Sequence, residues 1–224
     1  MTASSGAEPA VRKVPGADDG PRSRNRRGEG SLLRADILAA AAGLLAETGD
    51  EQAVTLRAVA RRIGISAPSI YRHFADRHAI LFAIAVDAFE DLARRLGEDV
   101  AAAGSDPVAR LKAFCSAYLD FAATQSHHYR IMFGGLWSGA EGVKSEAFTL
   151  ADVMSLGQDA LHILAGCVIA CVEAGRSTSD NPASDTIALW LGLHGLAHQR
   201  MVAPAFPFPA DIEDRLVNAL AHLN

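Results

Sequence analysis

Apolar residues recur at helical spacing along most of the chain. In residues 55–63, Leu56, Val59, Ala60 and Ile63 fall at positions i, i+3, i+4 and i+7, which places them on one helix face. No stretch alternates apolar and polar residues as a half-buried strand does. The pattern therefore predicts an all-α protein. Its longer helices are expected at about 31–49, 76–103, 106–124, 146–175, 183–201 and 211–223, with a short helix at 126–133 and a Gly-rich link at 134–145.

Three capping residues and a glycine divide residues 55–78 into two short helices and the start of a third. Thr55, Ser66 and Asp76 are each expected to cap a helix N-terminus, because their side-chain oxygens can accept backbone N–H groups. Gly64 suits the turn after the first helix, since glycine tolerates a positive φ. Two short helices joined by such a turn form a helix-turn-helix, whose second helix lies in the DNA major groove.

The charge distribution supports DNA contact by this segment. Residues 52–78 contain five arginines and one acid, Asp76, although the whole chain has a net charge of −5. From residue 79 onward, nine basic residues face seventeen acidic ones. Attraction to phosphates requires a local basic patch rather than a basic protein. A helical hairpin with a solvated basic face is the alternative, but the caps, the glycine and the charge together favour DNA binding.

This segment resembles the DNA-binding domain of the TetR family of transcriptional regulators. The resemblance covers roughly residues 31–80, and the motif spans about 56–75. It implies an all-helical fold, with a three-helix helix-turn-helix domain at 31–78 and a larger helical domain at 79–224 for ligand binding and dimerisation. The matching residues are Gly49, Thr55, Leu56, Arg57, Val59, Ala60, Ile63, Gly64, Ile65, Ser66, Ile70, Tyr71, His73 and Phe74, followed by the basic Arg77.

The resemblance also assigns DNA contacts to individual residues. Arg57 is expected to reach a base, because arginine can form two hydrogen bonds with guanine. Tyr71, His73 and Arg77 match positions that bind phosphates and set the register on the duplex. Arg72 could read a base or clamp a phosphate. The full set of expected contacts is Thr55, Arg57, Ser66, Ala67, Pro68, Ser69, Tyr71, Arg72, His73 and Arg77, with residues 66 to 69 facing the groove.

Residues 1–30 are expected to form a disordered tail. They are rich in Gly, Pro, Ala, Ser and charged residues, so they have too little apolar surface to order themselves. Four arginines lie near the end of the tail, at positions 22, 24, 26 and 27. A basic arm of this kind can enter the minor groove beside a recognition helix. A tail that only solubilises the protein is the alternative, and the sequence leaves both open.

A second resemblance lies near the C-terminus. Residues 190–195, WLGLHG, are similar to the Trp–His–Gly signature of one TetR C-terminal subfamily, and residues 129–133 are similar to its short mid-domain helix. The resemblance implies a small-molecule pocket. Trp190 and His194, four residues apart, could contact a ligand or could pack in the core with a hydrogen-bonded histidine. The candidate lining residues are Phe114, Tyr118, Met132, Phe133, Trp137, Met154, Cys167, Cys171, Trp190 and His194.

Metal binding and catalysis are the competing interpretations. The pairs His194/His198 and Cys167/Cys171 lie at i, i+4, but a structural zinc site needs four ligands and no compact third and fourth ligand is evident. The sequence contains no Gly-rich phosphate loop and no nucleophile elbow. We therefore expect no catalytic residues, no metal and no cofactor. A helical metalloprotein or small-molecule enzyme with an incidental basic hairpin is the alternative.

Together these features predict a sequence-specific, homodimeric transcriptional regulator. A repressor is expected, released from a palindromic double-stranded DNA operator by a small apolar ligand. The helices at about 183–201 and 211–223 are expected to pair with their copies. Three cysteines, an odd number, fit a reducing cytoplasm, and neither a signal peptide nor an apolar run of about 18–20 residues is expected.

Overall fold

The computed structural model describes residues 29–135 and 138–224. These residues form α-helices, one 3-10 helix at Glu51–Ala53 and an isolated bridge between Ser177 and Leu223, with no strand among them. The all-α prediction is confirmed. The helices are α1 (Glu29–Thr48), α2 (Leu56–Arg62), α3 (Ala67–Ile70), α4 (Arg77–Ala102), α5 (Pro107–Thr124), α6 (Ser126–Phe133), α7 (Gly139–Lys144), α8 (Leu150–Ser155), α9 (Gln158–Glu173), α10 (Pro182–Val202) and α11 (Ile212–Leu220).

Two of the three expected caps around α2 and α3 are confirmed in full. The Thr55 hydroxyl accepts the Ala58 N–H at 3.1 Å, and the Asp76 carboxylate accepts the Ala79 N–H at 2.9 Å. Ser66 occupies the N-cap position of α3, but its side chain makes no capping hydrogen bond. Its hydroxyl lies 2.9 Å from that of Ser69 instead. The capping hydrogen bond expected of Ser66 was therefore wrong, although the start of the helix was right.

The prediction of one continuous helix at 146–175 was wrong, because the structure divides this segment into α8 and α9. Gly157 stands at the break with φ +76°, a left-handed conformation that favours glycine. A Cβ at this position would lie 3.0 Å from the Phe89 ring, so the turn also needs a small residue. α8 begins at a capping box formed by Thr149 and Asp152. The link predicted at 134–145 contains α7, a further correction.

Two hydrophobic cores lie along α4. Ile80 and Ile84, in the N-terminal half of α4, pack in one core with α1, α2 and α3. Leu92 and Leu96, further along α4, pack in a second core with α5, α6, α9, α10 and α11. Ile131 of α6 belongs to the first core, whereas its helix neighbours belong to the second. The N-terminal unit is therefore joined to the larger helical unit through α4 and α6.

One described stretch, Leu150–Glu173, has the length and composition of a membrane span, with a mean hydropathy of 1.5. No apolar run of this length was expected from the sequence. It comprises α8 and α9, which are separate helices because of the turn at Gly157. Leu164 and Val168 are completely buried in the second core. Only 22% of the apolar window is buried, but the core helix of a globular protein passes the same test of length and composition, and a single such stretch is weak evidence for a membrane segment.

Candidate functional site

The helix-turn-helix presents one polar face to solvent. Arg57 on α2 and Arg72 after α3 are exposed, and the Tyr71 side chain is 61% exposed. Ile70 and Phe74 are buried on the opposite side, in the first core. This core fixes the backbone of α3 and leaves the outward side chains free to contact a ligand. The structure brings all ten expected contact residues to this region. Six of them are exposed, namely Thr55, Arg57, Ser66, Pro68, Tyr71 and Arg72. The other four are partly buried, namely Ala67, Ser69, His73 and Arg77.

Two of the arginines in this region are held by other side chains. Arg62 donates two hydrogen bonds to the Glu47 carboxylate, at 2.9 and 2.6 Å, and this partner lowers the pKa of Glu47. Arg77 donates to the Gln52 side-chain oxygen at 2.5 Å and lies 3.9 Å from a Glu51 oxygen. Arg62 therefore braces α2 against α1. Arg77 must exchange part of this contact to reach a phosphate.

Three other arginines, Arg57, Arg61 and Arg72, are exposed on the same unit. Within the described residues, none of them forms an ion pair with an acidic side chain. Their positive charge is therefore not neutralised by a neighbouring carboxylate. Guanidinium groups of this kind suit both bidentate base contacts and phosphate contacts.

A cavity of about 410 Å³ lies in the second core, between α4, α5, α6, α8, α9 and α10. Five of the ten candidate pocket residues line it, namely Phe114, Tyr118, Phe133, Met154 and Trp190. The lining side chains that the structure describes include no charged group. A space of this size and composition suits an apolar small molecule. The remaining lining residues are Phe89, Leu92, Leu156, Gly157, Gln158, Ala160, Leu161 and Ile187.

The other five candidates occupy different places. Trp137 lies outside the described residues. Met132, Cys167 and Cys171 are buried in the second core but do not line the cavity. Burial raises the pKa of each cysteine thiol, which keeps the thiols protonated and unreactive. The fifth candidate, His194, lies behind the cavity wall.

His194 holds several of the cavity-lining side chains in place. Its Nδ1 atom lies 2.8 Å from the Tyr129 hydroxyl and 3.2 Å from the Tyr118 hydroxyl. Its ring stacks on Trp190 and meets the edge of Phe133, with centroids 5.7 and 4.6 Å apart. Burial, with a smaller contribution from His198, lowers the pKa of His194, so the ring is neutral at pH 7 and Nδ1 can accept a hydroxyl proton. These contacts correspond to the packed, hydrogen-bonded interpretation of this histidine.

Sequence reasoning missed part of the cavity wall. Phe89 lies on α4 and lines the cavity, but nothing local in the sequence connects it to α9. Leu161 and Ala160 come from the start of α9, where a continuous helix was predicted. Ile187 lies three residues before Trp190 on α10, so the helical repeat alone could have placed it on the same face.

α6 connects the cavity to the N-terminal unit. Phe133 lines the cavity, whereas Ile131 is buried in the first core. Arg130 reaches Gly49, at the end of α1, where its guanidinium would lie 3.4 Å from an added Cβ. His128 packs near α1 and α4, and its Nδ1 atom is buried with no hydrogen-bond partner. A movement of the cavity wall can therefore reach α1 through one short helix.

The part of the chain that the structure describes offers no cluster of metal-binding side chains. Within residues 29–135 and 138–224, no group of three or more His, Cys, Asp or Glu side chains could hold a metal ion. The i, i+4 pairs of histidines and cysteines on α10 and α9 therefore have no additional described ligand near them.

Two family models match the chain. A model described as bacterial regulatory proteins of the tetR family matches residues 37–84. A model described as the tetracyclin repressor-like C-terminal domain matches residues 111–223. The first match covers α2, α3 and their supporting helices, and the second covers most of the cavity wall. No curated protein sequence matches the chain.

Solved structures show the same fold. A protein of unknown function from Rhodococcus sp. RHA1 is 25% identical, with a TM-score of 0.67 over 91% of this chain and 95% of that one. The TetR family transcriptional regulator PfmR from Thermus thermophilus is 22% identical, with a TM-score of 0.59 over 83% and 96%. The fatty acid degradation regulator FadR from Bacillus halodurans is 13% identical, with a TM-score of 0.66 over 84% and 94%.

Proposed function

The chain belongs to the TetR family of bacterial transcriptional regulators, and we propose that it is a homodimeric repressor that a small apolar ligand releases from a palindromic DNA operator. DNA binding follows from the family. The repressor role, the form of the operator and the nature of the ligand belong to this proposal. We expect the protein to act in the cytoplasm, where its DNA is.

The observation that carries the proposal is the pairing of an exposed reading face with a separate apolar cavity. The reading face offers Arg57 and Arg72 beside the small residues of α3. Small side chains allow the helix backbone to approach base edges, and arginine supplies the strong hydrogen bonds. The cavity lies in the other core, so its occupant would not compete directly with DNA. Such a separation requires an allosteric mechanism.

We propose that α6 carries the coupling between these two sites. A ligand in the cavity would press on Phe133, and α6 would shift Ile131 and Arg130 against α1. A shift of α1 and of the first core would change the position of α3. In energetic terms, the ligand favours the conformations in which the two recognition helices of a dimer no longer match the operator spacing.

The dimer is proposed to form through α10 and α11. α10 presents exposed apolar side chains, whereas the exposed face of α11 includes Asp214, Arg215 and Asn218. This difference supports α10 as the centre of the interface and α11 as its polar rim. A twofold dimer would place two copies of α3 on half-sites about one DNA turn apart.

We propose a neutral ligand. The described lining residues offer aromatic rings and aliphatic groups, with polar atoms from Tyr118, Gln158 and Trp190. A carboxylate or phosphate buried in this cavity would lack a described cationic partner, and an unpaired buried charge is strongly unfavourable. Uncharged, largely apolar molecules with one or two hydrogen-bonding groups are therefore the preferred class.

A gel-shift experiment tests the proposal. DNA flanking the gene, and DNA selected from a random library, would be titrated with the purified protein and then with neutral apolar compounds. We expect a palindromic site to be bound and at least one such compound to release it. Failure to select any DNA sequence would contradict the assigned function, and selection of a site without dyad symmetry would contradict the dimeric operator.

A further inference from the structure

A second hollow lies apart from the cavity, between α1 and α4. Its volume is about 330 Å³, and we call it the α1–α4 groove, bounded by Leu38 and Ala39 of α1, Asp87 and Asp91 of α4, and His128 of α6. Two further alanines, at positions 35 and 42, complete the wall on α1. Ala39 and Asp87 are exposed, so the groove is accessible from solvent. A small molecule can therefore enter it without a change in the fold.

The α1–α4 groove lies where the two cores meet. Ile84, on its α4 side, belongs to the first core, whereas Ala88, one turn later, belongs to the second. His128 adds a contact from α6, the helix that is anchored in both cores. An occupant of the groove would therefore touch the DNA-binding unit and the larger helical unit at once. The cavity, in contrast, lies within the second core.

The groove combines apolar walls with carboxylates. Asp87 and Asp91, one turn apart on α4, both line it, and no lysine or arginine does. Asp91 already accepts hydrogen bonds from Arg94 at 2.6 Å and from Arg95 at 2.9 Å. Asp87 is different, because it forms no hydrogen bond and no ion pair within the part of the chain that the structure describes. The groove therefore contains one carboxylate without a counterion in contact.

The surroundings of Asp87 are partly desolvating. Burial raises the pKa of this carboxyl group, although the positive charge of Arg34 opposes the shift. The neighbouring side chains on α1 are alanines and a leucine, which cannot hydrogen-bond to a carboxylate. A cation placed beside Asp87 would stabilise its charged form, because an opposite charge within a few ångströms offsets the cost of desolvation.

We propose that the α1–α4 groove is a second small-molecule site, which binds a small organic amine with its ammonium group on Asp87 and its apolar part against the alanines of α1. The proposal goes beyond the neutral ligand of the cavity, because it concerns a different site and the opposite kind of chemistry. An amine bound there would hold α1 against α4 and α6, and it would favour the arrangement of the two units that it fits best.

An amine fits the groove better than a metal ion does. Hard divalent cations need about six oxygen ligands, whereas most of the groove wall is apolar. Among the described residues, no group of three side chains could hold a metal ion. An ammonium group needs few acceptors, and its three N–H donors can bond Asp87 and the carboxylate of Asp91 together. Its carbon skeleton then covers the alanines.

The basic end of the N-terminal tail is the rival occupant. It carries four arginines, at positions 22, 24, 26 and 27, shortly before the start of α1. Four positive charges are a poor match for a groove with one carboxylate that lacks a counterion. A single amine matches that charge and the apolar walls together.

Calorimetry with phenethylamine tests the site directly. The titration is done at low ionic strength, where screening is weak. Phenethyl alcohol and hydrocinnamate have a similar size but are neutral and anionic. We expect the amine to bind and hydrocinnamate not to bind. Asp87→Asn keeps the shape of the groove, and it should weaken the amine about tenfold or more, because a charge-assisted hydrogen bond is lost. Glu90→Gln, at an exposed acid of α4 outside the groove, is the matched control and should keep the wild-type affinity.

A second pair of variants locates the amine without changing any charge. Ala39→Leu fills the groove from an exposed position of α1, so the fold should be kept, and amine binding should fall about tenfold or more. Ala160→Leu fills the cavity of the second core instead and should leave amine binding unchanged. Circular dichroism of each variant checks that its helical content is that of the wild type.

Three results would overturn the proposal. The first is no binding of phenethylamine at millimolar concentration. The second is equal amine affinity in the wild type and in Asp87→Asn, or a loss in Ala160→Leu without a loss in Ala39→Leu. The third is a gain of about tenfold or more when the four tail arginines are replaced by glutamine, which would make the tail the occupant. None of these results affects the gel shift, so the proposed regulator is tested separately.

Discussion

Tyr129 and Ile131 lie two positions apart on α6, yet their side chains are buried in different cores. The Tyr129 hydroxyl reaches His194 behind the cavity, whereas Ile131 packs with the residues of α1 to α4 that support the helix-turn-helix. Both side chains are 1% exposed. α6 has only eight residues and is anchored in both cores. Because protein interiors are closely packed, a movement of α6 in one core disturbs the packing of the other core.

Replacement of Ile131 by alanine should loosen the DNA-binding unit more than the ligand-binding unit. The cavity left behind should cost about 2–5 kcal/mol of unfolding free energy, as is usual for a buried isoleucine. Hydrogen exchange should then rise more strongly in α1 than in α9. Met132→Ala, at the next position but in the second core, is the matched control and should show the reverse order. Equal acceleration in both units for both variants would contradict the separation of the cores.

Local features of the sequence were sufficient to predict the helix-turn-helix. Thr55 and Asp76 cap their helices within three residues, so the interaction that starts each helix can be read from neighbouring positions. Ile70 and Phe74 lie on one face by helical spacing alone, and both are buried. The family resemblance agreed with these signals. The DNA contacts, including Arg57, and the Trp–His–Gly subfamily stay predictions.

Contacts between distant segments explain what could not be predicted. At the break, Gly157 combines a left-handed backbone with close approach of the Phe89 ring, which comes from a distant part of the sequence and would lie 3.0 Å from an added Cβ. The position of Ile131 in the first core cannot be read from α6 itself, because its neighbours Tyr129 and Met132 belong to the second core. At Ser66 the sequence predicts the start of the helix but not the hydrogen bond of the side chain. The Ser66 hydroxyl pairs with the Ser69 hydroxyl and makes no capping hydrogen bond to the backbone.

Replacement of Arg57 by alanine should reduce both affinity and sequence preference. A base-reading arginine is worth about 1–3 kcal/mol, so we expect a loss of about 5- to 160-fold on the selected DNA and a smaller loss on scrambled DNA. Arg62→Ala is the matched control on the same helix, because Arg62 is held by Glu47. It should change both affinities little and equally. Identical losses on selected and scrambled DNA for Arg57→Ala would contradict base reading.

Filling the cavity should separate ligand response from DNA binding. Ala160 lines the cavity and is 9% exposed, so Ala160→Leu would place new atoms in empty space. We expect binding of the neutral dye Nile red, followed by fluorescence, to weaken about tenfold or more, because the displaced ligand volume is lost. DNA affinity should stay unchanged, and the regulator should respond poorly to its ligand. Ala101→Leu, at an exposed position near the end of α4, is the control. If Ala160→Leu binds the dye with wild-type affinity, the ligand does not bind in this cavity.

His128 should make the fold sensitive to mild acid. Burial, with a smaller effect of His127, lowers the pKa of His128, although Asp91 opposes the shift and Arg95 adds to it. The unfolded chain takes up a proton near the ordinary histidine pKa of about 6.5, whereas the folded chain takes it up only at lower pH. The unfolding free energy should therefore be highest above about pH 7 and fall as the pH decreases through and below about 6.5.

Urea unfolding at pH 7.5 and 5.5 measures this sensitivity. His128→Gln removes the titrating ring, so the difference in unfolding free energy between the two pH values should be smaller than in the wild type, whatever the variant costs at pH 7.5. The comparison excludes simple loss of packing, because packing alone changes both values by similar amounts. His162→Gln, at an exposed position on α9, should keep the wild-type difference. If His128→Gln also keeps it, the buried Nδ1 atom of His128 does not control the response to acid.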